Sequence, residues 1–222
     1  MLDSCAVLRA QFSSVTGTNW QFKENFRKTA ENIDGKIGWE AIMMTYIAML
    51  RGINVGCGKV VKMERLRASF AALGFGEVRT YVQSGNVVFQ SERKSELTRT
   101  IVAKIQRDFG FAVPILIKMS KELAQIVHAN PLLRVKGIDL SKLHVTFLSD
   151  APPKTAAEVL EDLATTRERF RILNREIYLY CPDGYGISKL TNTTIEKKFS
   201  LVATTRNWRT VNALLKMAGS LA

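Results

Sequence analysis

Histidine and cysteine are scarce in this chain of 222 residues, and their scarcity removes whole classes of chemistry. His128 and His144 are the only histidines, and neither stands at ligand spacing from a cysteine or a carboxylate, so the sequence specifies no metal site. Cys5, Cys57 and Cys181 are odd in number and far apart, which makes neither a disulfide framework nor a CxxC metal or redox pair. A reducing cytoplasm suits them, and no cofactor is implied. Long hydrophobic runs are also missing. The longest, residues 41–50, is interrupted by Thr45 and stops at Arg51, about half the length of a membrane-spanning helix. No membrane partner is expected. The opening MLDSCAVLRA carries an acid at Asp3 and no basic region before an apolar core, so no secretory signal is expected either.

What the chain has in quantity is apolar side chains and positive charge. Hydrophobic residues make up 46% of it, enough for one large core or two small ones. The net charge is +12, and it is not a tail. Residues 1–43 hold five basic and five acidic side chains. The stretch 44–130 has 13 basic and 6 acidic, and 131–222 has 14 basic and 9 acidic. A folded body this basic attracts polyanions over long range.

Residues 1–43 lack a strand pattern and read as a weakly structured extension, with one short amphipathic helix at 20–33. From Met44 the elements alternate. An apolar strand at 45–50 leads through Gly52, Gly56 and Gly58 to a helix with Met63, Leu66, Phe70 and Leu73 on one face. Strands at 78–82 and 87–89 flank Ser84-Gly85-Asn86, a composition suited to a tight hairpin turn. A helix carrying Leu97, Ile101, Ile105 and Phe109 follows, then a strand at 113–118, giving the split order βαββαβ. A linking helix at 120–129 stops at Asn130-Pro131. The second half repeats βαββα: a strand at 143–148, a helix opened by a capping box at Thr155 and Glu158, a hairpin of 169–173 and 176–180 around Asn174-Arg175, and two closing helices near 193–199 and 206–218. The expected fold class is α+β, two ferredoxin-like halves at 44–130 and 131–222 in a duplicated architecture.

Three segments are rich in groups that hold anions. Arg51-Gly-Ile-Asn-Val-Gly-Cys-Gly-Lys59 joins a strand to a helix but fails as a P-loop, because five residues separate Gly52 from Gly58 and Val60 follows Lys59. Its glycines still let backbone N–H groups approach an anion, with Arg51 and Lys59 supplying charge. The hairpin around Tyr81 places Gln83, Ser84 and Asn86 together. Thr205 is the expected N-cap of the last helix, which puts Arg206 and Arg209 three apart at a helix end that favours anions. Trp208 is read as a core residue under that helix.

Leu50-Arg-Gly-Ile-Asn-Val55, Thr80-Tyr-Val-Gln-Ser-Gly-Asn-Val-Val-Phe89 and Thr204-Thr-Arg-Asn-Trp-Arg-Thr210 together resemble the bacterial domain-of-unknown-function family numbered 1697. The resemblance implies a two-part fold of ferredoxin-like halves and brings no activity, cofactor or catalytic residue with it. Cys57 departs from the glycine expected at that place in the loop.

The leading expectation is a binding module for an anionic ligand, nucleic acid or a nucleotide-like metabolite, held by Arg51, Asn54, Lys59, Gln83, Ser84, Asn86, Arg206, Asn207 and Arg209 if the three segments converge. An enzyme acting on a small phosphorylated substrate is the alternative, weakened by the lack of a general base; a protein-interaction domain using a sheet edge is another. Nothing in the sequence specifies an oligomeric state.

Overall fold

The computed structural model describes residues 43–55, 58–92 and 95–221. The extension expected over 1–43 lies outside the described residues except for Met43. The first half runs β1 (Met44–Leu50), α1 (Met63–Ala71), β2 (Gly76–Tyr81), β3 (Asn86–Ser91), α2 (Leu97–Phe109), β4 (Ile115–Met119) and α3 (Ser120–His128). Two short 3-10 turns, Pro131–Arg134 and Leu140–Lys142, carry the chain across. The second half runs β5 (Leu143–Leu148), α4 (Ala156–Leu163), β6 (Arg169–Leu173), β7 (Glu176–Tyr180), α5 (Asn192–Phe199), β8 (Ala203–Asn207) and α6 (Trp208–Gly219). Each half is therefore βαββαβ followed by one more helix.

The two antiparallel sheets have the same strand order, β2-β3-β1-β4 and β6-β7-β5-β8, which is ferredoxin-like. Apart from an irregularity in β2 between Gly76 and Arg79, their registers correspond. In the first, Met49 faces Asn86 and Ile47 faces Lys118; in the second, Phe147 faces Glu176 and Val145 faces Arg206. Asn86 and Glu176 thus occupy one position of the duplicated frame, and Lys118 and Arg206 another.

Five layers result. Alternation along β1 sends Tyr46, Ala48 and Leu50 toward α1 and α2, and Ile47 and Met49 toward the other side. That is why β1 buries both faces from Tyr46 to Leu50. On the outer face it packs on Leu66 and Phe70 of α1 and Ile101 and Ile105 of α2. Between the sheets lie α3 and α6, whose Leu123, Ile126, Trp208, Val211 and Leu214 join Val145, Phe147 and Tyr178 of the second sheet in one core. Beyond the second sheet, Leu160 of α4 and Ile195 of α5 cover Ile177 and Leu179. Each of these side chains contributes roughly 1.5–3 kcal/mol by leaving water. The middle layer belongs to both halves, and Ile42–Ala222 is one compact unit. No helix among the described residues is long and apolar enough to cross a membrane.

Three local expectations are corrected. Residues 203–207 form an edge strand, β8, where a helix was expected to begin, so α6 opens at Trp208 and its N-cap is Asn207, whose side chain accepts from the Thr210 N–H at 2.8 Å. Thr155 precedes α4 with ψ near 1° and no capping hydrogen bond, a backbone that turns its hydroxyl away from the helix N–H groups. The first hairpin turns through 82–85, with positive φ at Val82 and Gly85, while Asn86 is already in β3 and buried.

Candidate functional site

The three segments expected to hold an anion meet where the two sheets adjoin. Leu50 at the end of β1 donates its N–H to the Gly85 carbonyl at 2.8 Å. Gly85 has φ +72°, and a Cβ there would come within 2.9 Å of Leu50 Cβ and closer still to Ile53, so only glycine lets the hairpin approach the strand. From the second half, β8 brings Arg206 into this contact. Its Nε donates to Asn86 Oδ1 at 2.6 Å, Nη1 to Thr204 Oγ1 and the Thr205 carbonyl, and Nη2 to the Leu50 and Ser84 carbonyls at 2.9 and 3.3 Å. All five donors of the guanidinium are engaged. Among the described residues it contacts no carboxylate, and burial, reinforced by the nearby Arg51 charge, pushes its pKa down to about 10. It remains charged at neutral pH.

The neighbouring residues are engaged in the same way. Asn54, held at φ 54°, accepts from the Val61 N–H and donates to the Val61 and Gln83 carbonyls, which ties the glycine loop to the hairpin. Asn86 Nδ2 donates to Ser84 Oγ at 2.8 Å. Arg51 forms a two-point ion pair with Glu196 of α5, at 3.2 and 2.9 Å, and Glu196 also accepts from the Ala203 N–H. Lys59 donates to the Ala112 carbonyl and sits over the Phe111 ring. The structure therefore brings Arg51, Asn54, Gln83, Ser84, Asn86 and Arg206 together, but as a junction whose donors and acceptors satisfy one another. Lys59 is anchored to a separate loop, Asn207 caps α6, and Arg209 is exposed on the first turn of that helix.

A second junction occupies the equivalent place on the other side. Lys118 Nζ lies 2.6 Å from Glu176 Oε1, with their side chains only 15% and 6% exposed. Beside it the Tyr178 hydroxyl donates to the Ile126 carbonyl at 2.9 Å. Burial drives the Tyr178 pKa above its ordinary value.

Elsewhere, exposed positive charge lies on and beside the edge strand β6. Arg167, Arg169, Arg171 and Arg175 are all exposed, and so is Lys136. Arg167 pairs with Asp183 at 2.5 Å; the other four have no acidic partner among the described residues. Registers Arg169 to Tyr180 and Arg171 to Tyr178 put these arginines on the face of the sheet that carries the two tyrosines, while Phe170 and Ile172 turn into the outer core. A cleft of about 340 Å³ lies here, lined by Lys136, Arg167, Arg169, Tyr180 and Pro182 among others. Sequence reasoning passed over this strip, although arginine at every second position of a strand is a readable sign that the charges share one face.

The family model described as Protein of unknown function (DUF1697) matches residues 43–178. The chain belongs to this family. The match ends within β7, so β8 and its Arg206 lie beyond it. No curated protein matches the chain significantly. Among solved structures, the conserved bacterial protein SP0830 from Streptococcus pneumoniae superposes with a TM-score of 0.64, covering 79% of this chain and 99% of that chain at 20% identity. That likeness concerns the fold.

Two further titratable groups among the described residues are His144 and Cys181. His144 Nδ1 contacts the Lys142 carbonyl and its ring stacks on Tyr185 at 4.9 Å; burial lowers its pKa. Cys181 is buried, which pushes its thiol up to about 12 and leaves it unreactive at neutral pH. Among the described residues no three His, Cys, Asp or Glu side chains come together to hold a metal.

Proposed function

We propose that this protein is a cytoplasmic binding module for an anionic ligand, and that nucleic acid suits its surface better than a nucleotide-like metabolite. The observation that carries this reading is the group of exposed cations on and beside β6, where Lys136, Arg169, Arg171 and Arg175 have no acidic partner among the described residues. A small phosphorylated metabolite is bound by a few groups converging in a pocket. Here the groups that converge, around Arg206, are engaged with one another, whereas Arg169, Arg171 and Arg175 follow one another along and just beyond β6 without acidic partners, Arg171 donating to the Phe170 carbonyl. A row suits a polymer of phosphates, whose bound counterions are released as each phosphate is neutralised.

The experiment is fluorescence anisotropy of the full chain with labelled single-stranded RNA and DNA, at low and near-physiological salt, with inorganic polyphosphate as competitor. Four phosphate contacts give a slope of log K against log salt of about −3, at roughly 0.7 per phosphate on a single strand. Arg169→Glu with Arg171→Glu removes binding to both kinds of polyanion. Undiminished binding by that double variant would move the site off β6, and the absence of any binding by the wild-type chain would reduce the net charge to a matter of solubility.

A further inference from the structure

We infer that the ligand is a single-stranded nucleic acid whose backbone follows β6 and one of whose bases stacks on Tyr180; this rests on the anion-binding reading above. Tyr180 ends β7 directly opposite Arg169, so ring and guanidinium rise from the same face of adjacent strands. The ring is half-buried, fixed on one side by the middle core. Its hydroxyl has no hydrogen-bond partner within the described residues. An aromatic fixed at its base, open along one side and bordered by Lys136, Arg167 and Arg169 has the two elements that bind a single strand: a flat surface for a base and cations for the phosphates beside it.

Spacing and topology agree. Arg169 and Arg171 lie two residues apart on one strand, roughly 7 Å at about 3.4 Å per residue, a repeat that an extended nucleic-acid backbone follows phosphate by phosphate. Because β6 is the outermost strand of its sheet, one edge of it presents backbone N–H and C=O groups unpaired by any neighbouring strand, and apart from the Phe170 carbonyl, which accepts from Arg171 at 2.7 Å, these can meet the polar edges of splayed bases. A duplex fits less well. Its bases are closed in the stack and out of reach of Tyr180, and its two backbones call for two lines of cations where β6 supplies one. The acidic groups nearby do not pair with the strip: Asp183 is occupied by Arg167, and Glu161 and Glu168, which share a cleft with Arg169 and Arg171, form no ion pair with them among the described residues.

The test compares labelled oligo(dT), the corresponding oligo(dA)·oligo(dT) duplex and inorganic polyphosphate on the full chain, for wild type, Tyr180→Ala and Tyr180→Phe, with circular dichroism to verify folding. Loss of one stacked base weakens binding by about tenfold. The expected result is that Tyr180→Ala loses about this factor for oligo(dT) and keeps its affinity for polyphosphate, that Tyr180→Phe restores it, and that the wild type prefers the single strand to the duplex. If Tyr180→Ala weakens neither ligand, or both alike, or if the duplex binds at least as well as the single strand, the stacking inference falls while anion binding stands. If polyphosphate binds and oligo(dT) does not, the inference falls in the same way. If neither binds, both readings fall together. Should Tyr180→Ala unfold, Tyr180→Phe and Tyr180→Leu decide the matter: leucine fills the same space without a ring, and oligo(dT) affinity equal to that of phenylalanine would overturn the proposal.

Discussion

Lys118 and Arg206 stand at the same position of the duplicated frame, each reaching the first residue of the other half's third strand, yet the chemistry around them differs. Lys118 meets a carboxylate, Glu176, as a buried ion pair. Arg206 meets Asn86 and neutral oxygens only. The contrast shows that a cation crossing between the halves does not require a counter-charge, provided every donor finds an acceptor. A guanidinium offers five donors in a rigid fork and can be saturated by carbonyls. An ammonium is a point charge, and its desolvation is offset most effectively by a carboxylate.

Substitutions at the two junctions distinguish the two kinds of support. The largest effect is expected for Arg206→Ala, which leaves Asn86 Oδ1 and the Leu50 and Ser84 carbonyls without their donor; at about 1–3 kcal/mol per orphaned group the variant loses on the order of 4 kcal/mol in chemical denaturation. Arg206→Lys recovers less than half of that, because an ammonium cannot reproduce the fork. Glu176→Ala leaves Lys118 buried and alone and costs about 3 kcal/mol. Replacing the whole pair, Lys118→Met with Glu176→Leu, changes stability by no more than about 1 kcal/mol, since a buried ion pair is exchangeable for apolar packing when both charges leave together. Tyr178→Phe removes the hydroxyl that reaches Ile126 and costs about 1 kcal/mol, read from the same denaturation curves.

The smallest effect lies away from both junctions. Lys104 and then Ser69, by hydrogen bonds, hold the Asp108 carboxyl below its ordinary pKa. A depressed carboxylate stabilises the fold fully above its unfolded pKa, about 3.9, and that contribution disappears as pH falls through the lower folded value. Asp108→Asn is therefore expected to lag the wild type near neutral pH and to match it in strong acid, in denaturation series across that range.

Much of the frame was legible because it is written in apolar periodicity. Residues 143–148, 169–173 and 176–180 are strands as expected, and the α2 helix shows its Leu97, Ile101, Ile105 stripe plainly. β8 was not legible from its own residues. Ala203-Thr-Thr-Arg-Asn207 is polar, lies on a sheet edge and runs straight into an N-cap, so its composition resembles a helix start. The duplication was the available signal: the first half closes with β4 and then α3, and the same completion applied to the second half yields β8 and α6. Convergence of the three segments was also anticipated, but their role at the junction was not, because a donor's partner across more than a hundred residues leaves no mark in local sequence. The β6 arginines were hidden for a different reason. Charge summed over each half distributes them into the background, whereas their two-residue spacing concentrates them on one face.

The central claim is that holding the halves together and holding an anion are done by different arginines. One paired measurement tests it: denaturation midpoint and polyphosphate affinity, determined side by side for Arg206→Lys and for the Arg169→Glu, Arg171→Glu variant. Arg206→Lys is expected to lose stability and keep its affinity, and the β6 variant to keep its stability and lose its affinity. An Arg206→Lys protein as stable as the wild type but unable to bind would contradict it and return the site to the junction.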